Sequence, residues 1–202
     1  GQTLGMIGES GCGKSMTALA LMGLLPEGAR AQGSVQLGGQ ELLGMDDAAM
    51  QGVRGVKMAM VFQEPMTALN PVHRIGHQIA EPLRLHRRMD AAAARAEALR
   101  LLQRVRMPQA EQRLDAYPHQ LSGGQRQRVV IAIALACGPD VLIADEPTTA
   151  LDASLQREVL DLIGELVAAD GMGLLLISHD LGVMSHTVQQ LAVMYAGRIV
   201  EV

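Results

Sequence analysis

Residues 6–25 read "MIGESGCGKSMTALALMGLL". The apolar run "TLGMI", ending at Ile7, predicts a short buried strand, "GESGCG" a glycine loop, and "KSMTALALMGLL" a helix closing near Gly23 and Pro26. Strand, glycine loop, helix is the setting in which Gly8–Ser15, a full match to G-x-x-x-x-G-K-[ST], cradles phosphate groups. Gly8, Gly11 and Gly13 let backbone N–H groups turn toward phosphate oxygens. Lys14 follows them as a compact positive charge, and the Ser15 hydroxyl is placed to hold Mg²⁺. Glu9, Ser10, Cys12 and Met16 complete the binding loop and the first turn of its helix, and the Cys12 thiol is expected to be open to alkylation until nucleotide covers it. The bland alternative is a glycine turn that only caps a helix.

A second stretch, "LSGGQRQRV" from Leu121 to Val129, raises a question. A serine and two glycines at the start of an apolar-faced helix also make a place for an anion, because free N–H groups and the helix dipole both favour negative charge there. Ser122, Gly123, Gly124 and Gln125 are therefore candidate nucleotide contacts. One domain has little use for two phosphate sites of its own.

Working outward, "GSVQLGGQELL" alternates between glycines and predicts a small peripheral hairpin, and "VKMAMVFQ" a strand ending at Gln63. Residues 64–120 change character: "HRIGHQIAEPLRLH" and "DAAAARAEALRLLQRV" have helical period, with prolines as breaks, and predict an all-helical insertion. The runs "VLIAD", "GLLLIS" and "LAVMYAG" are almost purely apolar and flanked by helical stretches, as parallel strands buried on both faces are. The expected fold is α/β: a P-loop NTPase core with a mostly parallel sheet (1–63 and 121–202), a small β hairpin and an inserted helical subdomain (64–120), all within one domain.

The 202 residues are 49% hydrophobic and 19% charged with a net charge of −4, an ordinary globular balance that argues against a nucleic-acid binder working through a basic face. Apolar runs such as "VVIAIALAC" fall short of the roughly 20 residues that a membrane-spanning helix needs. Cys12 and Cys137 form no disulfide framework, and nothing reads as an export signal, so a reducing, cytosolic setting is expected. The 13 methionines are scattered through core-like positions and read as packing.

In open α/β sheets ligands collect beyond the carboxyl ends of the strands. Four apolar runs end there in polar residues: the phosphate loop, Gln63, the pair Asp145–Glu146, and His179. Adjacent carboxylates repel unless a cation sits by them, so Asp145 is expected to orient hydrated Mg²⁺, with Gln63 and Ser15 as its other protein ligands. Glu146, one residue further out, can accept a proton from an attacking water. Singly, each has a plain alternative: a solvated acidic strand end, a structural histidine, a strand-end glutamine, and, for Asp152 before a helical stretch, an ordinary N-cap.

Taken in order, "GESGCGKS", "VFQEP", "LSGGQRQR", "LIADEP", "TALD" and "ISHD" resemble the nucleotide-binding domain of ABC transporters over nearly the whole chain. "GESGCGKSMTALALMGLLP" and "FQEPMTALNP" are most similar to the ATPase subunits of dipeptide, oligopeptide and nickel importers. The resemblance implies an ATPase that binds ATP and Mg²⁺ and sits on the cytoplasmic face of the membrane. It also implies a head-to-tail pairing with a second nucleotide-binding domain, in which Ser122–Gln125 serve the partner's ATP; this answers the question of the two sites. By the same resemblance Glu146 is the general base, His179 the switch histidine, Gln63 the γ-phosphate sensor coupled to the membrane subunit, and Asp152 part of the loop that communicates across the dimer. Transmembrane permease subunits would dock on the helical insertion, and an extracytoplasmic solute-binding protein would act indirectly; nucleic acid is not an expected partner. A non-transport ATPase of the same fold, acting in DNA repair or on ribosomes, and an inert truncated domain are the competing readings. The family's adenine-stacking aromatic has no counterpart in the seven residues before Gly8, and the importer subfamily continues past "VMYAGRIVEV". The chain thus reads as a piece lacking both ends, with weak ATP binding and poor ATP/GTP discrimination expected.

Overall fold

The computed structural model describes residues 1–63, 68–149 and 151–202. Residues 64–67, within "FQEPMTALNP" and at the start of the expected helical insertion, and Ala150 of "TALD" lie outside the described residues.

A six-stranded sheet with order β4-β5-β6-β1-β7-β8 organises the chain. Strands β1 (Thr3–Gly8), β4 (Met58–Val61), β5 (Val141–Asp145), β6 (Gly173–Ile177) and β7 (Gln190–Tyr195) run parallel. Registers such as Asp145 with Ile177 and Gly8 with Met194 align their carboxyl ends along one edge. Strand β7 is followed not by a helix, as its apolar run suggested, but by β8 (Arg198–Glu201), which returns antiparallel along it. All four residues of β8 are exposed, so no apolar pattern marks it.

The central strands β5, β6 and β1 are almost purely apolar, Asp145 and Thr3 at their ends apart, because helices cover both faces. On one face Met6, Met58, Met60, Ile143, Leu175, Ile177 and Met194 pack with Ala18 and Met22 of the region around α1 (Lys14–Leu21). The opposite face carries Ile7, Ala59, Val61, Leu142, Ala144, Leu174 and Leu176 in a larger cluster with the remaining long helices. Of the helices before β5, α2 (Asp47–Gln51) is a single short turn near the first face. Then come α3 (Ile75–Arg87), α4 (Ala91–Arg104), α5 (Ala110–Leu114) and α6 (Gly123–Leu135). Helices α7 (Ala153–Asp170) and α8 (Leu181–Thr187) follow β5 and β6. Asp90, Ser122 and Asp152 cap α4, α6 and α7 by accepting a backbone N–H three residues on.

The expected peripheral hairpin is present as β2 (Gln36–Leu37) and β3 (Gln40–Glu41). Its two-residue turn, Gly38–Gly39, has φ of 57° and 80°, the positive values that a tight hairpin turn demands. Among the described residues no helix is long and apolar enough to cross a membrane.

Candidate nucleotide-binding and catalytic site

The phosphate loop follows β1 directly, and its glycines are required by geometry. Gly11 and Gly13 sit at φ 81° and 108°, conformations that side-chain-bearing residues rarely adopt. A Cβ on Gly8 would lie 2.1 Å from the Met194 carbonyl oxygen, so the loop presses against β7. The far hairpin supports it again where the Gly197 N–H donates to the Cys12 carbonyl at 3.0 Å. Lys14 is 5% exposed, and its ammonium donates to the carbonyls of Gly8 (2.8 Å) and Glu9 (3.0 Å). Glu9, Ser10, Gly11, Ser15 and Met16 are exposed around it. The Cys12 thiol corrects one expectation. It is buried under the loop in the cluster with Met6, Ala18 and Met194, facing the core instead of a labelling reagent.

Asp145 ends β5 and is 5% exposed. Burial pushes its carboxyl above the ordinary range; a hydrogen bond from the Ser15 hydroxyl opposes the shift, the neighbouring Glu146 charge adds to it, and the Lys14 charge opposes it. Among the described residues its Oδ1 is buried without a hydrogen-bond partner. Asp145 at the end of β5 and Ser15 in the first turn of α1 thus share one small polar space beside Lys14.

Glu146 stands next in a strained backbone, φ 44°, with its N–H donating to the Ile177 carbonyl at 2.9 Å. Three strand ends meet on its carboxylate. The Gln63 amide nitrogen lies 3.2 Å from Oε2 and His179 Nδ1 3.5 Å from the same oxygen. A fourth participant is Thr149, the first residue of the "TALD" motif in which only Asp152 carries an expected role; its hydroxyl donates to Oε2 at 2.9 Å. Its signals in the sequence are that place in "TALD" and a hydroxyl three residues beyond a carboxylate, and neither says that it reaches Glu146. Glu146 is 16% exposed at the side chain and His179 64%, so the carboxylate is sheltered while the imidazole faces solvent.

The second glycine site is built separately. Ser122 and Gln125 form a capping box at the start of α6: the Ser122 hydroxyl accepts from the Gln125 N–H (3.3 Å), and the Gln125 side chain accepts from the Ser122 N–H (3.2 Å). A Cβ on Gly123 or Gly124 would come within 3.4 Å of Leu151 or Leu155, which ties this helix start to the beginning of α7, where Asp152 accepts from the Leu155 N–H at 3.0 Å. The N-cap reading of Asp152 is therefore realised. Helix α6 belongs to the larger cluster and α1 to the smaller one, with the sheet between them. Among the described residues no hydrogen bond joins Gly8–Ser15 to Ser122–Gln125.

A family model described as "ABC transporter" matches residues 1–149. The chain belongs to the ABC transporter family. Over its full length this ABC chain is 51% identical, across 203 residues, to the probable peptide ABC transporter ATP-binding protein y4tR of Sinorhizobium fredii, of which it spans 61%. It is 52% identical over 202 residues, again its full length, to the oligopeptide transport ATP-binding protein OppD of Mycobacterium tuberculosis, of which it spans 33%. It is thus similar to about three-fifths or less of these longer relatives. A solved ATP-binding cassette, described as a dimeric post-hydrolysis state bound to ADP and Pi, superposes with a TM-score of 0.85 at 28% identity, covering 99% of this chain and 84% of that one. The ABC cassette fold is thereby shown, with the mostly parallel sheet expected of it.

Proposed function

We propose that this chain is the ATP-binding and hydrolysing part of an ABC importer for peptides or a related small solute, energising transport through separate membrane subunits. The observation that carries this reading is the meeting of Gln63 and His179 on the Glu146 carboxylate, beside a phosphate loop and a buried, unpartnered Asp145 oxygen. The names of the relatives supply the transport class.

In this mechanism the glycine loop and Lys14 hold the β- and γ-phosphates of ATP, with Gly8, Gly11 and Gly13 keeping backbone close to them. Asp145, Ser15 and Gln63 would hold Mg²⁺. The fit rests on the donors: carboxylate, hydroxyl and amide oxygens are the hard ligands Mg²⁺ takes, and Asp145 Oδ1 is a buried acceptor with nothing bound to it. When bound, the ion neutralises charge on the phosphates. Glu146 takes the proton from a water attacking the γ-phosphate, and His179 and Gln63 hold the carboxylate toward that water. A second cassette contributes its own Ser122, Gly123, Gly124 and Gln125 to the far side of the ATP, because this chain's signature helix lies across the sheet from its own loop. A symmetric dimer completes two such sites at once. Asp152, at the neighbouring helix start, lies at that junction. The described helices between Ile75 and Gln120 offer the surface for the membrane subunit.

The test is ATP-driven uptake of a labelled oligopeptide by vesicles carrying the assembled importer. Uptake and phosphate release should stop together in Glu146→Gln; uptake that persists without hydrolysis would overturn the assignment.

A further inference from the structure

With Glu146 read as the general base, we propose that Thr149 is a positioning residue that fixes which carboxylate oxygen takes the proton. Thr149 donates its hydroxyl to Oε2 at 2.9 Å. The same hydroxyl lies 3.3 Å from the Glu146 carbonyl, but it has one proton to give, and the nearer, charged acceptor holds it more strongly. The Thr149 N–H donates to that carbonyl at 3.3 Å, so the main chain between the two residues is closed as a turn that keeps the hydroxyl within reach of the carboxylate.

Among the described residues the contacts to the carboxylate, from Thr149, Gln63 and His179, all fall on Oε2. Among the described residues none is directed at Oε1, which is therefore the oxygen left for the water. The three partners differ in their attachment. Gln63 and His179 arrive from the ends of β4 and β6, and Gln63 has a second duty toward Mg²⁺ in the mechanism above. Thr149 belongs to the same turn as Glu146. It keeps Oε2 occupied while the other two exchange partners. The backbone is held from the other side, where the Ile177 carbonyl accepts the Glu146 N–H and the chain turns sharply at φ 44°. A carboxylate anchored at both ends presents one lone pair in one direction, which is the part of a proton transfer that positioning can supply.

The experiment compares Thr149→Val, Thr149→Ala and Thr149→Ser in the full-length importer, each alone and combined with Glu146→Gln. Measured are kcat, KM for MgATP, MgATP affinity by calorimetry and thermal stability. Expected are a loss of about tenfold in kcat for Val and Ala with affinity unchanged within twofold, and near-normal turnover for Ser, which restores the hydroxyl. In the Glu146→Gln background the Val substitution should lower residual hydrolysis no further, since the two act as one unit. Full turnover by Val or Ala, a Ser variant as slow as Val, or an additive loss in the Gln background would each overturn the role of Thr149. Normal hydrolysis by Glu146→Gln alone would instead remove Glu146 as the base; an inactive Glu146→Gln beside a fully active Thr149→Val would leave the base in place and sink only the inference about Thr149.

Discussion

The Gln63 amide nitrogen rests 3.2 Å from the Glu146 carboxylate, joining the ends of two adjacent parallel strands across 83 residues of sequence. A glutamine in contact with the base can report events on its own loop to the reacting atoms. Glu146→Gln replaces the acceptor by an amide of the same shape. It should lower steady-state hydrolysis by at least about a hundredfold while leaving MgATP binding intact. Phosphate release and calorimetry on the same sample check this; near-normal turnover removes Glu146 from the role.

The separation of α1 and α6 by the sheet makes Ser122 a probe of assembly. Ser122→Arg puts bulk and charge at the signature helix start and loses a cap worth about 1 kcal/mol. Sedimentation in the presence of MgATP should show monomer where the unchanged chain pairs, with monomer ATP affinity retained. A variant that pairs normally, or one that loses nucleotide as a monomer, would show that this helix serves its own subunit.

Asp145 is costly to the nucleotide-free protein because its carboxylate is buried beside another. Asp145→Asn keeps the shape and removes the charge. Its melting temperature without ligand should rise by a few degrees, the equivalent of about 1 kcal/mol in a chain of this size. Added Mg²⁺ should no longer strengthen nucleotide binding. Scanning calorimetry with and without Mg²⁺ measures both, and an unchanged Mg²⁺ effect would dismiss Asp145 as a ligand.

Gln127, within α6, is 0% exposed, and among the described residues both polar atoms of its amide lack hydrogen-bond partners. Such a group costs on the order of 1–3 kcal/mol. Gln127→Leu, of similar volume, should therefore raise the melting temperature. A drop would mean that the amide is satisfied in solution by a bound water.

Glu97 faces Arg100 on α4, and the hydrogen bond from that guanidinium holds its carboxyl below the usual range, with burial opposing and the charges of Arg100, Arg87 and Arg104 assisting. A depressed carboxyl pKa adds stability above the ordinary value near 4.5, and that contribution is lost as pH falls through the lowered one. Because Arg100 is mostly exposed, the effect is under about 1 kcal/mol. Glu97→Gln should lower the melting point at pH 7 and converge with the unchanged chain as pH falls below the ordinary carboxylate range and through the lowered one. Parallel curves at all pH values would refute the coupling.

The elements most legible in the sequence were those buried on both sides. Ile143, Ala144, Leu175 and Leu176 sit in runs with no polar residue before the strand end, so a continuous apolar run could only be a core strand in this setting. The phosphate loop was legible because its spacing is itself the geometry. The hidden parts depend on three-dimensional meeting. Nothing in residues 190–202 announces that β8 folds back on β7 through Ala196 and Gly197, and nothing near Cys12 says that its thiol turns inward. The link between Thr149 and Glu146 needs a turn and a positive φ that residue types alone do not dictate.

The N–H of Gly197 on the Cys12 carbonyl, together with Met194 against Gly8, means that the shape of the phosphate loop is shared between the two ends of this stretch of chain. A protein severed between β6 and β7 would still spell every motif from the loop to "ISHD", yet its loop would have lost the wall it leans on. An insertion at Ala196–Gly197 should have the same effect without altering a single motif residue. Intact motifs and an intact site are separate properties in this fold, and a damaged hairpin far along the chain can silence a flawless nucleotide signature.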